Sequence, residues 1–129
     1  MSFAYLDTSA IAKLFKAEPE TVALRKYLGT ELITSGLSRL EVKRVIDRNP
    51  DLYEKPAIKV LDNFHFKEID ASIIAIAESF RAMPFLRSLD ALHLATAISM
   101  KPVITQFITY DSHLARAAEF SGFLVASPA

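Results

Sequence analysis

Short apolar runs alternate along this chain with longer segments of helical spacing, and that alternation leaves few ways to fold it. Phe3-Ala4-Tyr5-Leu6 is stopped by Asp7-Thr8-Ser9, the pattern of a buried strand leading to a helix start. Ile11, Leu14 and Phe15 keep helical spacing, and Pro19-Glu20 opens a second helix running through Val22, Leu24 and Leu28 to Gly29. Leu32-Ile33-Thr34-Ser35 is the second strand. Ser38 opens a helix carrying Glu41, Val42, Val45 and Ile46, which ends before Asn49-Pro50; the next helix carries Ile58, Leu61 and Phe64. Phe66-Lys67-Glu68-Ile69 is the third strand, and Asp70 starts an apolar helix with Ile73, Ile74, Ile76 and Ala77. Ser88 starts a helix over Leu89 to Met100, Phe107-Ile108-Thr109 is strand four, Asp111 starts a helix reaching Gly122, and Phe123-Leu124-Val125-Ala126 is the last strand. Strands separated by helices pair in parallel through right-handed crossovers, so the expected fold is an open α/β sandwich with helices on both faces of the sheet.

The chain has 129 residues, 51% of them hydrophobic, enough to bury one core, and its 6 prolines and 3 glycines leave little room for a flexible linker. One domain over residues 1–129 is expected. No apolar run reaches the roughly 18 to 20 residues that cross a bilayer. Met1 leads within two residues into a strand-like segment, unlike a secretory signal. A cytoplasmic protein with no membrane partner is therefore expected. With no cysteine, disulfides, thiolate metal sites and cysteine nucleophiles are excluded. Fifteen basic and fifteen acidic side chains balance, so bulk positive charge does not drive nucleic-acid binding. Such a balance still leaves individual lysines and arginines to meet phosphates.

Four acids stand where the expected topology gathers side chains at one edge. In such sheets the strand carboxyl ends and the following helix amino ends share one side, where ligands bind. Asp7 and Asp111 follow strands directly, Glu41 follows strand two by a short turn, and Asp90 lies in the first turn of the helix before strand four. Each has an ordinary structural explanation as well. Asp7, Asp70 and Asp111 fit helix caps, and acids in a first turn gain about 0.3 to 1 kcal/mol from the helix dipole. Ser38-Arg39-Leu40-Glu41 fits a capping box in which Glu41 reaches back to Ser38. Asp90, however, interrupts a segment in which Leu89, Ala91, Leu92, Leu94, Ala95, Ala97 and Ile98 leave almost no polar face, where an unpaired charge is costly. Lys and Arg are missing from the strand ends near Asp7 and Asp111, so converging carboxylates would repel one another unless a cation sat among them.

Oxygen-only donors point to Mg²⁺ or Mn²⁺, hard ions that accept carboxylates and retain waters. One or two such ions can bind a phosphodiester, acidify a bound water and stabilise the leaving oxygen, with no nucleophilic side chain. On this reading Asp7 is the central ligand, Asp90 and Asp111 complete the set, and Glu41 either binds metal through water or takes the proton from the attacking water.

The strings Leu6-Asp7-Thr8-Ser9-Ala10, Leu37-Ser38-Arg39-Leu40-Glu41-Val42, Ser88-Leu89-Asp90-Ala91-Leu92-His93-Leu94-Ala95-Thr96-Ala97 and Ile108-Thr109-Tyr110-Asp111-Ser112-His113-Leu114-Ala115-Arg116-Ala117-Ala118, closed by Gly122-Phe123-Leu124-Val125-Ala126-Ser127-Pro128, together resemble the PIN-domain family and most closely its VapC-type toxins. The resemblance spans nearly the whole chain. It implies a parallel sheet of order 3-2-1-4-5, a Mg²⁺- or Mn²⁺-dependent endoribonuclease acting on RNA, a homodimer, and a small antitoxin partner that wraps the toxin and blocks its site.

Other residues carry secondary expectations. Ser9 and Thr109 are candidates to orient carboxylates from behind. Arg39, Lys43 and Arg87 lie near Glu41 and Asp90 in sequence and are candidates for RNA phosphates. His93, three residues after Asp90, is read as hydrogen-bonded within the packing and not as a ligand. A haloacid-dehalogenase-type phosphotransferase would want a second Asp at position 9, where Ser9 stands. A receiver domain would want adjacent acids near strand one and a lysine after its last strands, and neither occurs. The remaining alternative is a catalytically silent PIN-like RNA- or protein-binding module, which would be expected to have lost an acid; here all four are present.

Overall fold

The computed structural model describes residues 2–81, 83 and 85–129. Five short parallel strands form the sheet: β1 (Phe3–Leu6), β2 (Leu32–Ser35), β3 (Phe64–Lys67), β4 (Ile104–Ile108) and β5 (Val125–Ala126). Their order is β3-β2-β1-β4-β5, the order the family resemblance implies. The helices are α1 (Thr8–Phe15), α2 (Thr21–Tyr27), α3 (Leu37–Asp47), α4 (Glu54–Leu61), α5 (Ala71–Glu78), α6 (Ser88–Ser99) and α7 (Ser112–Phe120), with a 3₁₀ turn at Lys101–Val103 before β4. No helix among the described residues is long and apolar enough to cross a membrane.

Period-2 alternation explains how one strand serves both faces. Phe3 and Tyr5 of β1 pack into one core with Ile33, Phe107, Leu94, Ala97 and Leu114. Ala4 and Leu6 point the other way, into a core with Ile11, Leu24, Leu32, Val42, Ala57, Phe64 and Ile108. β1, β2 and β4 are thus apolar on both sides, as strands covered by helices on both faces must be. α1 packs against α2, α3 and α4 on one side of the sheet, while α5 packs on α6 and α6 on α7 on the other. The all-round apolar surface of α6 follows from that sandwiching: His93 to Ala97 are buried without a break.

Several boundaries differ from the sequence expectation: α2 begins at Thr21, after the expected Pro19-Glu20, and β5 covers only Val125–Ala126 of the expected Phe123–Ala126. Phe64, expected on the fourth helix, begins β3, because α4 stops at Leu61 and Phe64 pairs with Leu32 across the ladder. β3 therefore starts two residues before the expected Phe66 and ends at Lys67. Likewise β4 begins at Ile104, earlier than the expected Phe107. α7 ends at Phe120, and Gly122, at φ +92°, supplies the left-handed turn that lets the Phe123 N–H reach the Ala118 carbonyl at 3.0 Å before β5.

The chain runs outward from β1 through β2 to β3, then returns to place β4 on the other flank of β1. The strand order therefore reverses between β1 and β4, and a crevice opens at their carboxyl ends. Asp7 and Asp111 both lie there.

Candidate active site

Asp7 caps α1 at the mouth of that crevice and is almost wholly buried, at 4% exposure. Its Oδ1 accepts from the Ser9 hydroxyl at 2.7 Å and the Ala10 N–H at 3.2 Å, and its Oδ2 accepts from the Thr109 hydroxyl at 2.9 Å. Ser9 also takes the Tyr110 N–H at 3.0 Å, and Thr109 takes the Asp111 N–H at 3.1 Å. Ser9 and Thr109 thus hold Asp7 in place and tie the end of β1 to the loop after β4. Burial pushes the Asp7 carboxyl above the ordinary aspartate value of 3.8; the field of His93 and the bonds from Ser9, Thr109 and Ala10 only partly offset it.

Asp111 is the N-cap of α7, its Oδ1 accepting the Leu114 N–H at 2.8 Å. The capping explanation is thus correct for Asp7 and Asp111 as far as it goes, yet a cap uses only one carboxylate oxygen: the second oxygen of Asp7 is held by Thr109, and the Asp111 cap bond engages Oδ1 alone.

Glu41 does not form a capping box. α3 begins at Leu37 behind Gly36, Ser38 lies inside the helix, and its hydroxyl meets that of Thr34 at 2.6 Å. Glu41 instead turns toward the sheet, where its Oε1 accepts from the Thr8 hydroxyl at 2.7 Å and from His93 Nε2 at 2.6 Å. Partial burial pushes Glu41 up, but the hydrogen bond and field of His93, together with Thr8, outweigh it and hold the group below its ordinary value of 4.5.

Asp90 lies in the first turn of α6, its side chain 19% exposed; its cation neighbour is Arg87, 84% exposed, with Nε 3.7 Å from Oδ2. Burial raises the Asp90 carboxyl above 3.8, and the negative charges of Asp111 and Glu41 add to the rise against Arg87 and His93. Among the described residues no lysine or arginine pairs with Asp7, Glu41 or Asp111.

Two adjoining cavities, of about 300 and 380 Å³, open beside Glu41 and share Glu41, Arg48 and Leu89; Asp7 and Asp111 line neither. Arg44 lines the first; Arg87 and Asp90 line the second. Arg39 and Lys43 line neither. The Arg39 guanidinium sits 3.9 Å above the Phe66 ring, with Glu68 3.9 Å away, and Lys43 pairs with Asp47 at 2.8 Å. Helical geometry explains the exchange: Arg44 and Arg48 stand three and seven positions after Glu41 and share its face, whereas Arg39 and Lys43, two positions either side, point away. That spacing is present in the sequence. A further cavity of about 410 Å³ opens at the opposite end of the sheet, beside Leu32, Phe64 and Arg25, and has no acid in its wall.

The donor set suits a hard divalent cation. The donors are carboxylate oxygens, negative charge accumulates around Asp90 and Asp111, and Arg87, the ion-pair partner of Asp90, is solvent-facing. Among the described residues no three His, Cys, Asp or Glu side chains stand together as a ready-made metal cluster. An ion that takes one or two carboxylates and keeps most of its waters needs no such ready-made cluster. Asp7, Asp90, Asp111 and Glu41 are the residues that would hold one.

The shifted carboxyls make stability depend on pH in a definite direction. For Asp7 and Asp90, raised in the folded state, the native protein binds protons more tightly than the unfolded chain; their contribution is full below about 3.8 and is lost as pH rises through their folded values. Glu41, lowered, contributes above about 4.5 and loses that contribution as pH falls. In EDTA, the thermal midpoint of Asp7→Asn relative to the native chain should climb as pH is raised from about 3.5 to about 7. A gap that stays constant across that range would contradict the burial of an uncompensated Asp7 charge.

Comparison with known proteins agrees with this architecture. The PIN domain family matches residues 4–120. Ribonuclease VapC47 of Mycobacterium tuberculosis is 40% identical, with 96% of each chain covered, and ribonuclease VapC46 of the same species is 37% identical, with 99% of each covered. Among solved structures, M. tuberculosis VapC20, described as a sarcin–ricin loop cleaving toxin, superposes with a TM-score of 0.74 at 15% identity, over 98% of this chain and all of that one. A toxin–antitoxin complex from Klebsiella pneumoniae gives 0.72 at 22% identity over 98% of each. At such identities the structures speak for the fold alone, but the family match and the two relatives span nearly the whole chain, and the chain therefore belongs to the PIN domain family, within its VapC group.

Proposed function

We propose that this protein is a Mg²⁺- or Mn²⁺-dependent endoribonuclease and the toxin of a toxin–antitoxin pair. The observation that carries the reading is the crevice between β1 and β4: Asp7 locked by Ser9, Thr109 and the Ala10 N–H, with Asp90 raised by burial and by the charge of Asp111 beside it. Carboxylates of which only Asp90 is paired with an arginine, and that one solvent-facing, suit phosphodiester hydrolysis assisted by a divalent cation, and the relatives named as ribonucleases align with this chain over nearly its full length.

A divalent cation held there supplies Lewis acidity, making an attacking water more acidic and offsetting charge on the phosphodiester. The chain's own residues do the rest. Asp7 is held by the most hydrogen bonds of the four acids. Glu41, held below its ordinary value, stays ionised at neutral pH and keeps one oxygen toward the cavities. Arg44, Arg48 and Arg87 line the approach, where guanidinium groups can hold phosphates on either side of the scissile bond, while exposed Leu40 and Leu89 offer apolar surface to bases. An antitoxin partner and a homodimer follow from the family resemblance; exposed Phe120 and Leu124 near the end of α7 offer apolar surface to a second copy.

The test is cleavage of a mixed RNA pool by partner-free protein with Mg²⁺ or Mn²⁺, with EDTA beside it. Cleavage is expected only with metal. Arg44→Ala/Arg48→Ala should raise KM several-fold with little change in kcat, and should reduce the salt slope of RNA binding by about one for each phosphate that is no longer held. Failure of the native chain to cut any RNA with metal present would favour a binding module.

A further inference from the structure

Glu41 accepts a hydrogen bond from a histidine, and that histidine is itself held from behind. His93 is 2% exposed. Its Nε2 lies 2.6 Å from Glu41 Oε1, and its Nδ1 lies 2.8 Å from the hydroxyl of Tyr5, which is wholly buried in the middle of β1. The Tyr5 ring is in turn stacked on Phe107 of β4 at 5.0 Å between centroids. A rigid line therefore runs from the centre of the sheet through two rings to one oxygen of a side chain on α3. We propose that His93, braced by Tyr5, is a positioning residue that fixes the Glu41 carboxylate for divalent-cation binding, with Thr8 as the second donor to the same oxygen.

A carboxylate can only accept, so at 2.6 Å the hydrogen of that contact resides on Nε2. The Tyr5 hydroxyl meets the other ring nitrogen and stops the imidazole from turning. Glu41 sits on a half-exposed helix face at the rim of two cavities, where an unanchored glutamate would lose side-chain conformational freedom on being ordered by a ligand. With both donors on Oε1, that ordering is already complete and Oε2 is left for the crevice.

The chemistry also explains why a histidine stands here. An ammonium group in its place would put a fixed positive charge where a cation has to bind, whereas an apolar residue would leave Glu41 free to swing outward. The three-residue spacing from Asp90 to His93 lets one face of α6 deliver an acid to the crevice and a donor to the acid of a different helix. Purely structural satisfaction of a buried imidazole would need neither Thr8 on the same oxygen nor a partner that opens onto the cavities.

This inference rests on the metal-dependent reading above, and its test separates the two. Mn²⁺ binding is measured by calorimetry and by electron paramagnetic resonance on the native chain, His93→Leu, His93→Gln, Tyr5→Phe and Thr8→Val, each checked for folding by circular dichroism. Removing the hydrogen-bonding partner behind a metal ligand characteristically costs about 10- to 100-fold in metal affinity or activity. His93→Leu should weaken Mn²⁺ by at least about tenfold, and His93→Gln, whose amide reaches the Nε2 position, should recover most of that affinity. Tyr5→Phe and Thr8→Val should fall between, and they carry the test if His93→Leu does not fold. In RNA cleavage the same order should appear in kcat at fixed Mn²⁺, with KM for RNA little changed. Folded His93→Leu binding Mn²⁺ like the native chain, or His93→Gln as impaired as His93→Leu, would overturn the proposal. A native chain that binds Mn²⁺ but cuts no RNA would sink the ribonuclease reading and leave the positioning role to stand on the binding series. A native chain that binds no Mn²⁺ would overturn both.

Discussion

Asp7→Asn should abolish RNA cleavage, lowering kcat by at least about a hundredfold, the scale on which removal of one preorganised electrostatic group acts, while the protein remains folded. The substitution removes one negative charge and little else. Asparagine is as good an N-cap as aspartate, so the bond from the Ala10 N–H can persist at the start of α1. The Ser9 and Thr109 hydroxyls that now donate to Asp7 can adapt to an amide, with Thr109 turning to accept if it faces the nitrogen. Because burial raises the Asp7 carboxyl, removing the charge also relieves a desolvation cost, and the metal-free variant should melt at the same temperature as the native chain or above it. Abolished activity with retained or increased stability would separate a functional role from a capping one, since asparagine keeps the cap and a purely capping Asp7 would leave both activity and stability unchanged. The measurement is single-turnover cleavage in saturating Mn²⁺ beside a thermal melt in EDTA. Cleavage at the native rate would refute the assignment of Asp7.

Phe107→Ala should cost about 3 to 5 kcal/mol, the range for truncating a buried phenylalanine. Against a typical total of about 5 to 15 kcal/mol, that brings the protein near its unfolding limit. Phe107 is wholly buried, pairs in register with Tyr5 of β1 and Val125 of β5, and its ring packs against those of Tyr5 and Phe123. It stands at the seam where strand order reverses, so a cavity there loosens the two strands that aim Asp7 and Asp111 and also removes the ring behind Tyr5. Guanidinium unfolding should show a lower midpoint, and activity should fall even at temperatures where the variant remains folded. A midpoint within error of the native chain would mean that the seam repacks, contrary to the close ring packing seen here.

How much of the fold and the site is legible in the sequence depends on the range of the interaction. β1 and β2 read residue for residue, because Phe3–Leu6 and Leu32–Ser35 are runs bounded by Asp7 in one case and Gly36 in the other, and the signal is local. Phe64 is misassigned because its spacing from Ile58 and Leu61 continues a helical pattern, while the ladder partner that claims it, Leu32, lies far away in the chain. The capping box at Ser38 fails for a similar reason. Local geometry allows it, but Thr8 and His93 offer Glu41 two donors from other elements, and Thr34 takes the Ser38 hydroxyl. Arg39 and Lys43 stand near Glu41 in sequence but out of helical phase with it, and phase alone would select Arg44 and Arg48.

The sequence by itself determined the alternation of strands and helices, the acids at the helix starts and the resemblance that anticipated the strand order, since these follow from residue type, period and motif spacing. Only the tertiary structure decided that it is Asp7 that Ser9 and Thr109 clamp and that Tyr5 and His93 brace Glu41. The Thr109–Asp7 bond joins residues 102 positions apart. The free energy of such bonds depends on distance and burial, which exist only once the sheet has closed β4 against β1.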